Sequence, residues 1–524
     1  MLRRVRLDVP GLLSMLYVPL QPIVSRLNFV RRGTRRYSPA DVLLPAGYET
    51  ELVAGGLTAP VHGCFDPAGN LYVTESGHKS MSPPRVFRID TSTGAKTLVV
   101  DLEDRWTETG AATGAAWHDG ALFVSNTDAI HRVDLETGAV TDIVTGLPGR
   151  GDHQTNHPVI GPDGRVYWGQ GCATNMGVVG ADNFGFEWLP TFPEVHDVPA
   201  VDVVLAGRNY GFPDVLGNPL SRVQSGAYVP FGTPTEEGQR VAGNPKASGS
   251  VLSCLPDGSD LRVVAWGLRN PYGIAFHPDG RTFVTEHGSD ERGGRWIIGD
   301  PDDFYEIRDG AWYGWPDFAS GIRLDDAHWG ESGQGREPVL ADFPDPEPPR
   351  PIASFETHAA ANGFDFCRDA AFGFEGEAFV ALFGDLAPLT TPRQVVPAGF
   401  KVVRVHPESG RITDFAVNRT QGPASKLFHG GFERPSHCVF GPDGALYVVD
   451  YGDIKLAPEK GGIRTKQGTG AVWRIRRVAG RAAGNEPPAG RRVPFYPIQA
   501  AVVALGVGAV LGAVIALLRR LRRG

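Results

Sequence analysis

With 524 residues the chain is long enough for several ordinary domains or for one large ring or barrel, so length alone leaves the domain count open. Its 68 Gly and 43 Pro are scattered through apolar runs with no short period, which excludes collagen and a disordered chain and points to many short strands joined by tight turns. A net charge of −8, with arginines dispersed except near the two ends, gives no basic field for neutralising phosphates, so no nucleic-acid partner is expected.

Residues 1–46 begin with basic residues before a short apolar stretch that Pro10, Pro19, Gln21 and Pro22 interrupt. Such a segment reads either as a weak export signal or as an interfacial segment. From about residue 47 to 478 one pattern recurs: an apolar strand, a turn of the Pro-Asp-Gly kind, then an alternating strand that ends near an acidic residue and Gly. Six copies are read, at 60–77, 113–126, 157–171, 270–288, 362–385 and 434–453. Most copies are followed by a second hairpin signal, as in VFRIDTSTGAKTLV and VVRVHPESGRITDF. Four strands per copy predict an all-β, six-bladed propeller of antiparallel blades, in which GYETELVAGG near the start completes the last blade beside AVWRIRR near the end. Three stretches exceed a simple blade, Cys172 to Gly249, Ser289 to Gly299 and Trp315 to Pro351, and long loops in a compact repeat fold are commonly functional. The five cysteines are far apart, contain no C-x-x-C pair, and are assigned no bridge.

Residues 479–497 read as a linker. The uncharged run from Ile498 to Leu518 is long enough to cross a hydrocarbon core of roughly 30 Å as a transmembrane helix, and 519–524 form a basic tail. Arginines on both flanks, with the denser group after the run, predict a single-pass membrane protein with a cytoplasmic C-terminus and an extracytoplasmic propeller.

Ligands of propellers bind at the mouth of the central channel, so residues just before innermost strands are the candidates for chemistry. His153, in GRGDHQTNHPVIGPDGRVY, stands there in the third blade, and an imidazole with a pKa near its usual value of about 6.5 can accept a hydroxyl proton. The competing readings are a loop histidine bonded to a nearby backbone group, and His157 as the base instead. Arg269 and Asn270 take the equivalent place in the fourth blade, able to hold an anion or a quinone oxygen and to donate and accept hydrogen bonds, or simply to satisfy strand-end carbonyls. Glu286, Asp290, Glu291 and nearby carbonyls offer oxygen to a hard cation such as calcium, in a spacing that matches no EF-hand.

The pairing of DHQTNHPVIGPDGRVY with GLRNPYGIAFHPDGRTFVTEHG on successive blades resembles the glucose/sorbosone dehydrogenase family, six-bladed propellers that use pyrroloquinoline quinone (PQQ) and calcium. The resemblance implies an oxidoreductase acting on a sugar or related alcohol. His153 would remove the hydroxyl proton as hydride passes to the quinone, with Arg269 and Asn270 against quinone and substrate. Gly288 and Ser289 would ligate calcium through carbonyls, and Arg434, in FERPSHCVFGPDG, would grip a quinone carboxylate. The sequence departs from the family where Cys172 replaces the Asp that orients the histidine, where Ser436 replaces a second quinone-binding arginine, and where no fifth-blade lysine is evident. A sugar or alcohol substrate and a membrane electron acceptor are the expected partners. Two other readings stay open: a non-catalytic tethered propeller binding carbohydrate or protein, and a calcium-dependent hydrolase of lactonase type.

Overall fold

A computed structural model describes residues 35–77, 82–103, 111–330, 336–386, 397–457 and 462–491. Six antiparallel sheets stand as blades around one axis. From the axis outward, blade 1 is Pro60–Phe65, Leu71–Glu75, Arg85–Ile89 and Lys96–Asp101, and blade 2 is Gly114–His118, Ala121–Asn126, Ala129–Asp134 and Val140–Val144. Blade 3 is Thr155–Ile160, Val166–Gln170, Ser250–Cys254 and Arg262–Trp266, so the insertion from Cys172 to Gly249 interrupts it between its second and third strands. Blade 4 is Pro271–Phe276, Thr282–Glu286, Asp303–Ile307 and Ala353–Ser354, and blade 5 is Ala361–Phe366, Ala378–Leu382, Lys401–Val405 and Ile412–Asn418. Blade 6 is Pro435–Phe440, Leu446–Asp450 and Gly470–Arg477, and its outer strand is Tyr48–Leu57 from the other end of the chain.

Each hairpin follows from its turn chemistry. In the Pro-Asp-Gly turns Gly164 and Gly444 sit at φ of 78° and 71°, a region costly for any residue with a Cβ. The same aspartates, Asp163 and Asp443, each accept a bond of 2.9 Å from a tyrosine hydroxyl four residues on, Tyr167 and Tyr447. The acidic residue that ends the repeat has a local duty: it accepts the amide N–H groups of the chain entering its blade. Glu75 takes Thr58 N–H at 2.8 Å, Asp450 takes Glu433 and Arg434 N–H at 2.9 and 2.8 Å, and Glu286 takes those of Arg269 and Asn270. These donors lie at buried strand starts, where an unpaired N–H is costly.

Closure is the antiparallel pairing of Tyr48–Leu57 with Gly470–Arg477, from Tyr48 opposite Arg477 to Leu57 opposite Gly470. Trp473 on that pair is wholly buried, edge-on to Phe432 at 5.7 Å and to Tyr37 at 6.2 Å. Residues on either side of 47–478 also pack on the propeller. Val42–Leu43 adds a fifth strand to blade 5, and the buried Arg35 guanidinium meets the Asp450 carboxylate and the carbonyls of Thr469 and Gly431. On the other side the Asn485 carbonyl accepts from Arg404 at 2.8 Å and Arg491 bridges Thr420, so parts of 479–491 pack on the propeller beside blade 5. All five cysteines are free thiols. Among the described residues no helix is long and apolar enough to cross a membrane; the apolar run 498–518 lies outside them, as do 1–34.

The innermost strands meet in ring order, with that of blade 6 against that of blade 1. Close to their starts those of blades 1, 3, 4, 5 and 6 slip register, between Pro60 and His62, Thr155 and Pro158, Pro271 and Gly273, Ala361 and Phe364, and Pro435 and His437. Such bulges re-aim side chains, here next to the axis. Space there is tight: a Cβ on Gly114 would lie 2.4 Å from His157 Cβ and 2.8 Å from His62 Cγ. Gly114→Ala is therefore expected to destabilise the propeller by about 1–3 kcal/mol, the usual cost of overpacking, measured as a lower urea midpoint with an unchanged slope.

Candidate active site at the channel mouth

Where the strand starts converge, a cavity of about 320 Å³ opens, and His153, Arg269 and Asn270 all line it, from the third and fourth blades. The two expected mouth positions do come together. His157 does not: it is fully buried below the mouth, with its ring against those of His62 and His437.

His153 Nδ1 lies 2.9 Å from the carbonyl oxygen of Cys172. A carbonyl can only accept, so Nδ1 carries the proton and Nε2 carries the lone pair. Nε2 has no hydrogen bond among the described residues, and the ring faces the cavity. Burial, then the positive Arg269 beside it, hold the imidazole well below its usual pKa, so it is a neutral acceptor at physiological pH. The orienting role that an Asp would fill is thus taken by a backbone carbonyl, which the identity of residue 172 does not alter. The Cys172 thiol itself is buried, points 3.5 Å from the Leu268 carbonyl, and is pushed up in pKa by burial and by Asp197, so it is no nucleophile.

Asn270 belongs to a fixed chain of bonds across three blades. Its amide nitrogen donates to His287 Nδ1 at 2.9 Å, its oxygen accepts from Asn156 at 2.9 Å, and His287 Nε2 donates to the Ala361 carbonyl and Asn362 Oδ1 at 3.1 and 3.0 Å. Arg269 is similarly committed. Its guanidinium donates to the carbonyls of Asn175 (3.1 Å) and Gly288 (2.8 Å) and to Asn175 Oδ1 (2.8 Å), with Asp290 at 3.5 Å. What it presents to the cavity is mainly a fixed positive charge.

Sequence reasoning missed the second cation. Arg292 reaches the cavity from the Ser289 to Gly299 loop and bonds Asp152 at 2.6 Å, Asp182 at 2.7 Å and Asp290 at 3.0 Å, with Phe186 of the blade 3 insertion under its guanidinium at 4.3 Å. Burial alone would raise Asp290, but Arg292 and Arg269 hold it below the usual carboxylate range. The only sequence signal for this cluster was the acidic and basic residues of SDERGG and the Asp preceding His153, a pattern that surface loops share.

Two expected contacts fall elsewhere. Arg434 does not line the cavity: its guanidinium is buried, donates to the carbonyls of Gly384 (2.8 Å) and Asp385 (3.0 Å), and stacks on Phe383 and Phe400. It is Ser436 that reaches the cavity. At the proposed calcium ligands, the Gly288 carbonyl is occupied by Arg269, and Ser289 N–H donates to Asp300 at 2.6 Å. Below that turn lie buried carboxylates: burial, chiefly, pushes Asp300 up to about 6 and Asp303 and Glu286 up to about 8, against the opposing charge of Arg269 at Asp300 and Glu286. Glu291 is not among the residues lining the mouth cavity.

With this geometry in hand, residues 233–388 match the family model Glucose / Sorbosone dehydrogenase, a span holding Arg269, Asn270, Gly288, Ser289 and Arg292. That span is similar to the glucose/sorbosone dehydrogenases. Residues 42–156 match a repeat of unknown function. A curated relative, quinoprotein glucose dehydrogenase B of Acinetobacter calcoaceticus, is 27% identical over 178 residues, 34% of this chain, and the match spans 29% of that relative's length. Among solved structures, the holo form of the pyranose dehydrogenase PQQ domain from Coprinopsis cinerea matches with a TM-score of 0.51 at 17% identity, covering 85% of this chain and 98% of that one. The calcium structure of Trichoderma reesei Carbohydrate-Active Enzymes Family AA12 matches with a TM-score of 0.50 at 15% identity, covering 85% and 99%. At such identities these structures support the shared propeller fold.

Arg292 neutralises three carboxylates in a nearly dry setting, so its loss leaves them facing one another. Arg292→Met should cost about 3–5 kcal/mol of unfolding free energy, measured in urea at pH 7, whereas the exposed ion pair of Arg323 and Asp325 should give less than about 1 kcal/mol on the same test.

Proposed function

We propose that this chain is a quinone-dependent oxidoreductase that oxidises a sugar or a related alcohol or aldehyde at the channel mouth, with His153 as the base. The observation that carries the reading is the fixed tautomer of His153: a neutral imidazole, held by the Cys172 carbonyl, whose Nε2 has no hydrogen bond among the described residues and whose ring lines the mouth cavity beside Arg269 and Asn270. The family match and the quinoprotein relative support it.

The residues of the mouth fit a bound quinone such as PQQ on three counts. The cavity has room for a flat fused ring, two guanidinium groups stand in its wall, and amide side chains of Asn156, Asn270 and Asn362 ring the axis. When bound, PQQ supplies a two-electron acceptor for hydride. The protein's part is positioning and proton handling. His153 Nε2 accepts the hydroxyl proton of the substrate, and the positive charge of Arg269 favours negative charge on neighbouring oxygens. Asn270, locked between Asn156 and His287, offers its remaining amide N–H at a constant angle. Oxygen for calcium would come from the turn at Gly288 and Ser289, beside the small cavity that Gly288, Asp300, Asp303 and Glu286 line. The apolar run 498–518 would tether the propeller outside the cytoplasm, within reach of a membrane electron acceptor.

One observation favours a second reading, a propeller that binds carbohydrate or protein without redox chemistry: the Arg434 guanidinium donates to the carbonyls of Gly384 and Asp385, and among the described residues Ser436 stands at the mouth in its place. Titrating the full chain with PQQ and calcium, followed by dye reduction over a panel of aldoses, separates the two. Saturable quinone absorbance changes and sugar-dependent reduction are expected, with His153→Gln lowering kcat by roughly 10²–10⁴-fold while leaving quinone binding intact. No binding at high micromolar PQQ would leave the binding propeller as the account.

The pH profile follows from the environment of His153. The neutral ring is the active form, and a pKa lowered from 6.5 keeps it neutral as pH falls through that value. Log kcat/KM should therefore stay level down to about pH 6.5 and fall only at lower pH. An acid limb centred above pH 7 would exclude His153 as the base.

A further inference from the structure

Below the mouth the channel is closed by three imidazoles. His62, His157 and His437 are each the third residue of the innermost strand, in blades 1, 3 and 6, at the bulge in each. The corresponding residues of blades 2, 4 and 5 are Gly114, Gly273 and Gly363. The glycines make the room: a Cβ on Gly363 would lie 2.1 Å from His437 Cδ2, and one on Gly114 would strike both His157 and His62.

The ring centroids of His62 lie 4.3 Å from His157 and 3.8 Å from His437, and one nitrogen from each of the three rings falls within 4.8 Å of the others. All three side chains are at least 95% buried, and His62 Nδ1, His157 Nε2 and His437 Nδ1 have no hydrogen-bond partner. A buried imidazole nitrogen without a partner is unfavourable, and three in mutual contact more so. Burial holds each ring below its usual pKa, so all are neutral, the form in which imidazole binds metal.

We propose that His62, His157 and His437 form a binding site for one divalent transition-metal ion of the zinc class, on the propeller axis and separate from the mouth. Three nitrogens at the corners of a 4.8 Å triangle stand ~2.8 Å from its centre, so small ring rotations reach the Zn–N distance of about 2.0–2.1 Å. The donors are all nitrogen, which selects zinc, cobalt, nickel or copper over calcium. His62 and His437 also line a second cavity, of about 230 Å³, on the side of the ring opposite Val61, Asn156 and Ser436 at the mouth. That cavity gives the ion a route in and a water for its fourth position. The bound ion would tie blades 6 and 1, which meet where the ring closes, to blade 3. This site is independent of the quinone reading.

The test is a Co²⁺ titration of the untagged, chelator-treated full chain in millimolar calcium. One equivalent bound, with visible d–d absorption that Zn²⁺ displaces and calcium does not, is expected. His62→Gln and His437→Gln, checked for folding by near-UV circular dichroism, should each weaken binding by roughly 100-fold or more, since losing a ligand exceeds the 10–100-fold effect of losing its outer partner. Should either variant fail to fold, X-ray absorption on the zinc-loaded wild-type chain decides: three imidazole neighbours support the site, and a shell without them overturns it. Absence of stoichiometric binding, or binding that survives both substitutions, also overturns it.

Discussion

Ring closure is the constraint on which the remainder of the structure depends. A blade buries its faces only against neighbours, so six blades are stable together when the sixth meets the first. Here the seam is the strand Tyr48–Leu57, hydrogen-bonded into blade 6 from the far end of the chain, with Trp473 packed inside it. Arg35 adds to the same seam by neutralising Asp450, whose carboxylate also holds the N–H groups at the start of blade 6. Because closure fixes the radius of the ring, it also fixes how far apart the six innermost strands can stand at the axis.

That radius sorts the polar residues into layers. Consecutive residues of the bulged strands divide between the mouth and the axis, as Val61 and His62, Asn156 and His157, and Ser436 and His437 do. The mouth layer is bonded laterally from blade to blade, Asn156 to Asn270 to His287 to Asn362. The axial layer has imidazoles on three blades and glycine on three, because six side chains of that size do not fit in one plane. Two kinds of chemistry, oxygen-rich and charged above and nitrogen-rich and neutral below, are thereby kept apart within one channel.

The blade repeat was legible in the sequence because its signals are local. Turn glycines, the acidic residue that ends each copy and alternating apolar residues each act within one hairpin, so blade number and the closing strand could be counted. His153, Arg269 and Asn270 were legible for the same reason, since a mouth residue is identified by its offset from the strand that follows. Arg434 shows the limit of that rule. It occupies a mouth offset, yet its side chain turns to the carbonyls of Gly384 and Asp385, a choice made by a loop of the preceding blade. Arg292, Asp152 and Asp182 were hidden because they lie on three separate segments, two insertions and the turn before His153, that meet only over the mouth.

By itself the sequence determined the six blades, the strand that closes them, the candidate base and its two neighbours, because hairpin propensity and repeat spacing are encoded within a few residues. Tertiary structure alone decided which nitrogen of His153 holds the proton, which arginines face the cavity, and that His62, His157 and His437 share one point in space. Those outcomes depend on carbonyls, carboxylates and rings from elements far apart in the chain, brought into contact only when the ring closes.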